Sequence, residues 1–406
     1  MSDPLMLATL AAGVTTLLTI AGLGYYLVAL WSARAFLRRP RVPAGFAPGV
    51  SILKPLYGLD PGMLEAFASH CRQNYPGDYE LLFSVSRLDD PAVPIVQQLQ
   101  ADFPGRAIRL LHTPEMLGPN GKVSSLAQLI PHARYDYLIF NDSDIFVGPD
   151  YLALVLAPFL PQQGKLPTGL VTALYRGRAH GTLGSRLEAL GIATDFAPGV
   201  LTSRFLERGI RFGLGSTLAV SRRALDAIGG LAPLAGYLAD DYLLGARIAH
   251  SGFAVELCDE VVVTHVPAWS FSGYLHHQLR WARAMRDSRP GGYAGLLFSY
   301  GLAWSLLNLA TSGLSLPAFA LFTLALLFRV SLALGVGVGI LDDRQVLRDL
   351  WLLPLRDLLA LGVWAWSYAS NVITWRDERF ILKRGRLVKL DAEDSAIPAA
   401  EISPKT

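Results

Sequence analysis

Two acidic side chains follow a short apolar segment near the middle of the chain. The strand-forming run Tyr137–Phe140 is followed by Asn141, and Asp142 and Asp144 come directly after it. Residues two apart in an extended backbone point to the same side, so both carboxylates can reach one ligand. Paired carboxylates are hard oxygen donors that suit Mg²⁺ or Mn²⁺, and such a cation can bridge a diphosphate. The spacing therefore predicts a divalent metal site, the alternative being a pair of acids that only caps the strand.

A second acidic pair, Asp89 and Asp90, follows the predicted strand Tyr79–Val85. At the end of a strand, a carboxylate can accept hydrogen bonds from a ribose or a uracil. The alternative is an Asp-Asp-Pro turn that begins the next helix. The sequence leaves both interpretations open.

A third acidic pair, Asp240 and Asp241, opens the helix predicted over 243–250. An acid at the start of a helix ordinarily caps the helix and interacts favourably with its dipole. Asp241 can instead act as a general base that takes the proton from an acceptor hydroxyl, provided that its surroundings tune its pKa.

The sequence Gln278-Leu279-Arg280-Trp281 begins an arginine-rich segment just before a long apolar region. There Arg280 can offset the charge of a leaving diphosphate, and Trp281 can form the floor under an acceptor. The alternative is a pair of interfacial anchor residues beside a membrane helix.

The elements that must position these residues alternate between strands and helices. Strands are predicted over 49–53, 79–85, 108–111 and 135–140, and helices over 60–75, 94–103 and 124–133. This alternation predicts an α/β domain with a mostly parallel sheet covered on both faces. Such sheets bind ligands beyond the carboxyl ends of their strands, where the first two acidic pairs lie.

The composition places part of the chain in a membrane. Of 406 residues, 52% are hydrophobic and only 17% are charged, which is too apolar for a wholly soluble protein. The first 33 residues include an uncharged stretch long enough for a transmembrane helix, which needs ~20 residues. The predicted organisation is an N-terminal transmembrane helix over 1–33, a soluble domain over 45–285, a membrane region over 291–374 and a basic tail over 375–406. The membrane region contains two spans and a third segment of marginal length.

Arginine clusters fix the expected orientation of these segments. Arg34, Arg38 and Arg39 follow the first apolar stretch, and Arg283 and Arg286 precede the second. By the positive-inside rule, the soluble domain lies in the cytoplasm of a multi-pass inner-membrane protein. The basic tail should lie there too, so the third apolar segment is expected to be re-entrant or interfacial rather than a full span.

The remaining composition excludes several classes of protein. Two cysteines, Cys71 and Cys258, are too few for a disulfide framework or a zinc site, and they fit a reducing compartment. A net charge of +3 is too small to indicate nucleic acid binding. Basic residues at the membrane-proximal edges favour the lipid bilayer as the partner.

The order of the motifs resembles the ceramide glucosyltransferase family, whose members are membrane-bound GT-A enzymes with three separated Asp motifs and a final Gln/Arg-x-x-Arg-Trp. The resemblance runs from about Ser51 to Trp281. The matching segments are Ser51-Ile52-Leu53-Lys54-Pro55, Leu88-Asp89-Asp90-Pro91-Ala92, Leu117-Gly118-Pro119-Asn120-Gly121-Lys122, Asn141-Asp142-Ser143-Asp144, Gly229-Gly230-Leu231, Asp240-Asp241-Tyr242 and Arg280-Trp281. The resemblance implies a Rossmann-like GT-A domain flanked by transmembrane helices.

The resemblance also implies roles for individual residues. It assigns Asp90 to the nucleotide pocket, Asp142 and Asp144 to the metal pair, and Asp241 to the catalytic base. Lys122 stands where the family has a lysine beside the donor diphosphate.

Four further residues are less firmly assigned. Pro55 and Asp240 lie within matching motifs and are counted with the substrate-binding residues. His277 stands where the family has Gln or Arg, so its role in substrate binding is open. His265, after the predicted strand over 261–263, is a third metal ligand as in many GT-A enzymes, or else a structural histidine.

The implied reaction is an inverting transfer of a sugar from a UDP-sugar to a hydroxyl of a membrane lipid. The segments 36–40 and 66–73 look most similar to bacterial hopanoid-biosynthesis glycosyltransferases, which implies N-acetylglucosamine and bacteriohopanetetrol as substrates. Glucose and ceramide, a sphingolipid acceptor, are the alternative. Two further alternatives are a processive polysaccharide synthase, which needs more spans for its channel, and a non-catalytic membrane protein that binds without transferring sugar.

Overall fold

The computed structural model describes residues 4–42, 45–375 and 378–390 of the chain. Its first element is helix α1 (Pro4–Leu37), which carries no charged residue before Arg34. Many of its apolar side chains are exposed, among them Leu17 and Trp31. Exposed apolar side chains along the whole length of a helix are typical of a helix that can cross a membrane.

The first half of the soluble domain consists of parallel strands joined by helices. Its elements are β1 (Val50–Leu56), α2 (Met63–Cys71), β2 (Tyr79–Val85), α3 (Val93–Asp102), β3 (Ala107–His112), α4 (Gly121–Leu129), a 3₁₀ turn over Ile130–His132, and β4 (Tyr137–Phe140). Strand β1 lies between β2 and β4 and is parallel to both, while β3 is parallel to β2. The carboxyl ends of β2 and β4, which precede the first two acidic pairs, therefore lie at one edge of the sheet.

The second half adds strands of both directions. Its elements are β5 (Ile145–Phe146), α5 (Tyr151–Leu156), a 3₁₀ turn over Ala157–Phe159, β6 (Thr168–Arg178), α6 (Leu183–Gly191), a π-helical turn over Ile192–Phe196, α7 (Ala197–Leu206), β7 (Leu218–Ser221), α8 (Arg222–Ala227), a 3₁₀ turn over Ala232–Leu234, α9 (Asp240–His250) and β8 (Ala254–His265). The strand order is β3-β2-β1-β4-β7-β6-β8-β5. Strand β7 is antiparallel to β4 and β6, and β5 is antiparallel to β8. The sheet is mostly parallel, as predicted, with β5 and β7 reversed.

The C-terminal part begins on the domain and continues through apolar helices. Its elements are α10 (Phe271–Ser288), α11 (Pro290–Gly295), a 3₁₀ turn over Leu296–Ser299, α12 (Gly301–Thr311), α13 (Leu316–Leu332), a π-helical turn over Ala333–Val338, α14 (Gln345–Asp349), a 3₁₀ turn over Leu350–Leu352, α15 (Leu353–Ser367), β9 (Val372–Trp375), β10 (Glu378–Lys383) and β11 (Arg386–Lys389). One apolar cluster extends from Leu82 in the sheet through Tyr26 of α1 to Leu332 of α13, so the domain and these helices share a core.

Two helices in the described part of the chain are long and apolar enough to cross a membrane, Met6–Leu37 and Leu316–Val338. A third candidate is the pair Pro290–Ser299 and Gly301–Thr311, which is bent by 54°. The apolar segment expected to be re-entrant or interfacial falls largely on α15, which has only 15 residues. This length is below the ~20 residues that a straight span requires.

Close packing holds α12 against α1. A Cβ atom placed on Gly22 would lie 2.2 Å from the Cα of Gly301, so the two backbones touch at these glycines. Near the other end of the contact, the Asn308 side chain accepts hydrogen bonds from Thr15 and Thr16 at 3.2 and 2.9 Å. Small residues and interhelical hydrogen bonds are the usual means of helix association in a lipid environment.

The one charged residue of the second apolar region, Arg329 on α13, is fully buried and paired. Its guanidinium donates to both carboxylate oxygens of Asp357 at 2.7 Å and lies 3.4 Å from Asp195. Asp195 also pairs with Arg356 of α15. A buried charge requires such partners, and this network ties α13 and α15 to the turn that follows α6.

The basic tail predicted over 375–406 contains a folded part. Strands β9, β10 and β11 form an antiparallel sheet. This sheet lies against the loop before α9, where Leu387 N–H donates to Gly236 O at 2.8 Å and Arg386 Nε donates to the Tyr237 hydroxyl at 3.0 Å. Residues 376–377 and 391–406 lie outside the described part of the chain.

Strand β1 is longer than the prediction over 49–53, because it continues through Lys54 and Pro55 to Leu56. Proline has no N–H group, so it cannot donate the hydrogen bond that a residue of a strand with neighbours on both sides would normally make. However, β4 pairs only with Val50 to Leu53, so at Pro55 the strand has a neighbour on the β2 side alone. The sheet tolerates proline at this position for that reason.

Candidate active site

The predicted metal pair lies at the carboxyl end of β4. Asn141 is buried and anchors this turn, because its side-chain amide donates to Ser216 O at 2.8 Å and to the Tyr151 hydroxyl at 3.0 Å. Asp142 is 41% exposed and faces the open edge of the sheet. Asp144 is half-buried and accepts a hydrogen bond from the Thr264 hydroxyl of β8. Burial and the charge of Asp142 raise the pKa of Asp144 to about 6.

Two lysines stand beside this pair of acids. Lys122, in the first turn of α4, lies 2.5 Å from Asp142 Oδ1. Burial alone would lower the pKa of Lys122, but the carboxylates of Asp142, Asp240 and Asp241 outweigh that effect and raise it. The ammonium group is therefore charged, and its role beside a donor diphosphate stays a prediction.

Lys54 of β1 is almost completely buried and donates to the backbone oxygen of Asp142 at 2.9 Å. Burial lowers the pKa of the Lys54 ammonium to about 7. Lys54 lies in one of the matching segments but had no predicted role, although a lysine inside an apolar strand is itself unusual. A buried lysine requires a partner or a function, and Asp142 supplies the partner.

The third acidic pair lies on the first turn of α9, close to the metal pair. Asp240 accepts a hydrogen bond from the Asn120 amide at 3.1 Å. Asp241 Oδ1 accepts from the backbone N–H of Tyr242 at 2.7 Å. A Cβ atom on Gly215 would lie 3.1 Å from Asp241 Oδ2 and 3.9 Å from Asp142 Oδ2, so both oxygens lie beside Gly215. Asp241 is therefore a near neighbour of Asp142 in the metal pair.

Burial and the neighbouring charge of Asp240 raise the pKa of Asp241 to about 6. Burial also raises the pKa of Asp240, while Lys122 and Asn120 oppose this rise. Neither acid caps the helix in the ordinary way, because the cap position is Ala239 and no side chain caps it. A carboxylate with a pKa slightly below neutrality is well suited to accept a proton at physiological pH.

Asp90 lies at the carboxyl end of β2 and binds the loop after β1. Its carboxylate accepts hydrogen bonds from Gly58 N–H at 3.1 Å and from Ala92 N–H at 2.9 Å. These contacts are those of a residue in a turn before a helix. The role of Asp90 in binding a nucleotide stays a prediction. Pro55 lies on the strand that leads into this loop. The exposed Asp89 pairs with Arg87.

His265 ends β8, directly after the Thr264 that binds Asp144. Its Nδ1 atom lies 3.0 Å from Pro61 O, and its ring packs against Gly62. Among the described residues, no three His, Cys, Asp or Glu side chains form a group that could hold a metal ion. The structure therefore does not bring His265 into a cluster with Asp142 and Asp144, and its role as a third ligand gains no support.

Helix α10 brings the predicted acceptor residues together. The ring of His277 lies between those of Trp269 and Trp281, with centroid separations of 5.1 and 5.0 Å. Arg280 Nη2 lies 3.3 Å from His277 Nδ1. Glu188 of α6 completes the group, with Oε1 3.4 Å from His277 Nε2. Glu188 was not anticipated, since nothing in its local sequence separates it from an ordinary helix residue.

The donor set at β4 fits a divalent cation. Two carboxylates leave most coordination positions to water and phosphate oxygens, which is the usual arrangement for Mg²⁺ beside a diphosphate. Lys122 pairs with Asp142 at present, and the same ammonium group could instead pair with an anionic ligand once a cation is bound to Asp142. The site can thus hold a metal–diphosphate group on one side and a proton-accepting carboxylate, Asp241, next to it.

Comparison with solved structures supports this fold. A mannosyltransferase from Pyrobaculum calidifontis in complex with GDP-Man and Mn²⁺ superposes with a TM-score of 0.52 and is 21% identical, covering 82% of this chain and 99% of that one. The domain has a GT-A-like glycosyltransferase fold.

Curated relatives are ceramide glucosyltransferases. Ceramide glucosyltransferase 3 of Caenorhabditis elegans is 27% identical over 277 residues, which cover 66% of this chain and 59% of that protein. Ceramide glucosyltransferase 1 of the same organism is 22% identical over 368 residues, which cover 87% of this chain and 76% of that protein. The matched part of the chain thus spans less than two thirds of the first relative. Residues 14–388 match the model of glycosyl transferase family 21, and the chain belongs to that family.

Proposed function

We propose that the protein is an inverting glycosyltransferase that moves a hexose from a UDP-sugar to a hydroxyl group of a membrane lipid. The observation that carries the proposal is that an oxygen of Asp241 and an oxygen of Asp142, a member of the predicted metal pair, both lie beside Gly215. Family membership supplies the reaction class, and the apolar helices that share a core with the domain supply access to a lipid.

The donor binds at the carboxyl ends of β2 and β4. Asp90 holds the nucleoside, and Lys122 binds the diphosphate. Asp142 and Asp144 would hold Mg²⁺ or Mn²⁺, and a bound cation stabilises negative charge on a leaving diphosphate. Arg280 contributes further positive charge from the side of α10.

The acceptor hydroxyl attacks the anomeric carbon from the face opposite the leaving UDP. Asp241 accepts the proton of that hydroxyl as the new carbon–oxygen bond forms and the bond to UDP breaks. The sugar is transferred in a single displacement, so its anomeric configuration inverts. This mechanism needs no enzyme nucleophile, because the sugar passes directly from UDP to the acceptor.

Among acceptors, ceramide has the better support. The curated relatives are named for ceramide, so they favour ceramide and glucose over the hopanoid alternative. Exposed apolar side chains begin the helices that carry Glu188 and His277, namely Leu183 of α6 and Phe271 of α10, and they suit contact with a lipid chain.

Product analysis tests the proposal. Purified full-length protein is incubated with UDP-glucose or UDP-N-acetylglucosamine and with ceramide or bacteriohopanetetrol in detergent, and the products are identified by mass. We expect glucosylceramide carrying one sugar. Hopanoid product would favour the other acceptor, a polymer would indicate a processive synthase, and no transfer from any pair would contradict the proposal.

We expect the rate to fall as the pH is lowered through about 6. Asp241 must be deprotonated to accept the proton, and its pKa is raised to about 6, so protonation below that pH removes the base. The measurement is kcat/KM between pH 4.5 and 8. The residual activity of Asp241→Asn should lack this acid limb. If the limb persists in that variant, another carboxylate, such as Asp144 or Glu188, is responsible.

We also expect the soluble domain to face the cytoplasm of the inner membrane. Cys71 and Cys258 are both buried, so an introduced cysteine can be labelled selectively. A cysteine at the exposed Glu65 should react with an impermeant reagent only after cells are permeabilised. A cysteine at Leu314, in the turn between α12 and α13, should react in intact cells. The reverse pattern would contradict the orientation and with it access to cytoplasmic UDP-sugar.

A further inference from the structure

Glu188 is a buried acid, and one of its carboxylate oxygens makes no well-formed hydrogen bond. Its side chain is 6% exposed. Oε2 has no hydrogen-bond partner among the residues that the structure describes. Oε1 lies 3.4 Å from His277 Nε2, which is longer than a well-formed hydrogen bond. Burial outweighs the Trp269 side chain and the charge of Arg280, which favour the ionised form, and raises the pKa of Glu188 to about 7. A buried carboxyl group with one oxygen that makes no well-formed hydrogen bond is costly, and a further polar group would stabilise it.

The neighbouring His277 offers a complementary donor. Arg280 can only donate hydrogen bonds, so His277 Nδ1, at 3.3 Å from its Nη2, must accept. Burial and the charge of Arg280 lower the pKa of His277 to about 3, which keeps the ring neutral at physiological pH. A neutral ring that accepts at Nδ1 carries its proton on Nε2. That atom is also buried without a hydrogen-bond partner in the described part of the chain.

Glu188 lies near the metal pair, because in addition to burial the charge of Asp144 contributes to raising its pKa. Ser185, one turn before Glu188 on α6, donates to Val266 O at 3.3 Å, just beyond the Thr264 that binds Asp144. A few residues after Glu188, Thr194 accepts from Arg329 of α13. Helix α6 and the turn after it therefore connect the neighbourhood of the metal pair to α13, one of the helices long and apolar enough to cross a membrane.

On the basis of the proposed lipid glycosylation, we propose that Glu188 and His277 bind a second hydroxyl group of the acceptor, adjacent to the hydroxyl that attacks the sugar. A hydroxyl is both a donor and an acceptor, so one group can donate to Glu188 Oε2 and accept from His277 Nε2. The attacking hydroxyl is left to Asp241. The pair thereby selects lipids that carry two hydroxyls close together over lipids that carry one.

The test compares ceramide with its 3-deoxy analogue, which keeps the attacking hydroxyl and lacks the second one. Full-length protein, UDP-glucose and either lipid in detergent micelles are used to measure kcat/KM. We expect the wild type to prefer ceramide by about tenfold to a hundredfold, since the analogue leaves two buried polar atoms unpartnered. Glu188→Leu and His277→Phe should each reduce this preference to about twofold or less. The KM for UDP-glucose should stay unchanged.

Two further variants separate binding from folding effects. His277→Gln keeps a donor at the position of Nε2 and should keep the preference, whereas Glu65→Gln, on the exposed face of α2, should behave as the wild type. Equal transfer to both lipids by the wild type, or a preference that survives in both Glu188→Leu and His277→Phe, would overturn the inference. Transfer to neither lipid by the wild type would instead reject ceramide as the acceptor, and the inference would fall with it.

Discussion

We expect Asp241→Asn to lower the rate of sugar transfer by about 10²–10⁴-fold while the protein stays folded. Asparagine keeps the shape of the side chain and can still accept the hydrogen bond from Tyr242 N–H, but it lacks the negative charge that takes up a proton. Donor binding should survive, because the donor contacts are assigned to Asp90, Lys122 and the metal pair. The measurements are kcat for transfer, UDP affinity and the thermal unfolding midpoint.

The neighbouring acid provides the matched control. Asp240 points to Asn120, whereas Asp241 Oδ2 points to the space beside Gly215 and Asp142. Asp240→Asn should therefore lower the rate much less than Asp241→Asn. If Asp240→Asn is the inactive variant, the base is Asp240. If both variants turn over normally, the first turn of α9 has no catalytic role.

Removal of the metal ligands should have the second large effect. EDTA should abolish transfer, and added Mg²⁺ or Mn²⁺ should restore it. Asp144→Asn should lower the rate by about 10²–10³-fold, because a neutral amide is a weaker ligand and the charge of the leaving diphosphate is then less well offset. Mn²⁺ binding in the presence of UDP, followed by the paramagnetic resonance of the free ion, should weaken in parallel.

Asp89→Asn is the control for this experiment. Asp89 lies after β2 on the same edge of the sheet, but it is exposed and pairs only with Arg87 among the contacts described. Its replacement should leave both Mn²⁺ binding and transfer near the wild-type values. Full activity in metal-free buffer, or in Asp144→Asn, would refute the metal role of the pair.

Local sequence determined much of the scaffold. Strand β2 begins and ends where the apolar run predicts it, and the acids follow β2 and β4 as expected. The two long apolar helices were also evident from composition alone. These features depend on hydropathy, on strand propensity and on the residues that end helices and strands. All of these are properties of residues near each other in the chain.

The ends of helices and strands were predicted less accurately than their positions in the chain. The helix predicted over 60–75 occupies only Met63–Cys71, and β1 extends past Pro55. No strands were predicted in the basic tail, yet its described part contributes to a sheet that contacts the loop before Asp240. Hydrogen-bond partners from other elements set these boundaries, and a local pattern does not contain them.

The chemistry of the site was decided by tertiary structure. The sequence supplied Asp241 and Asp142 as candidates, but only the fold places both oxygens beside Gly215 and pairs Lys122 with Asp142. Lys54 and Glu188 gained their significance from burial, which depends on what packs around them. The pKa of an acid and the hydrogen-bond partners of its oxygens follow from neighbours distant in the chain, because desolvation and charge act through space rather than along the sequence.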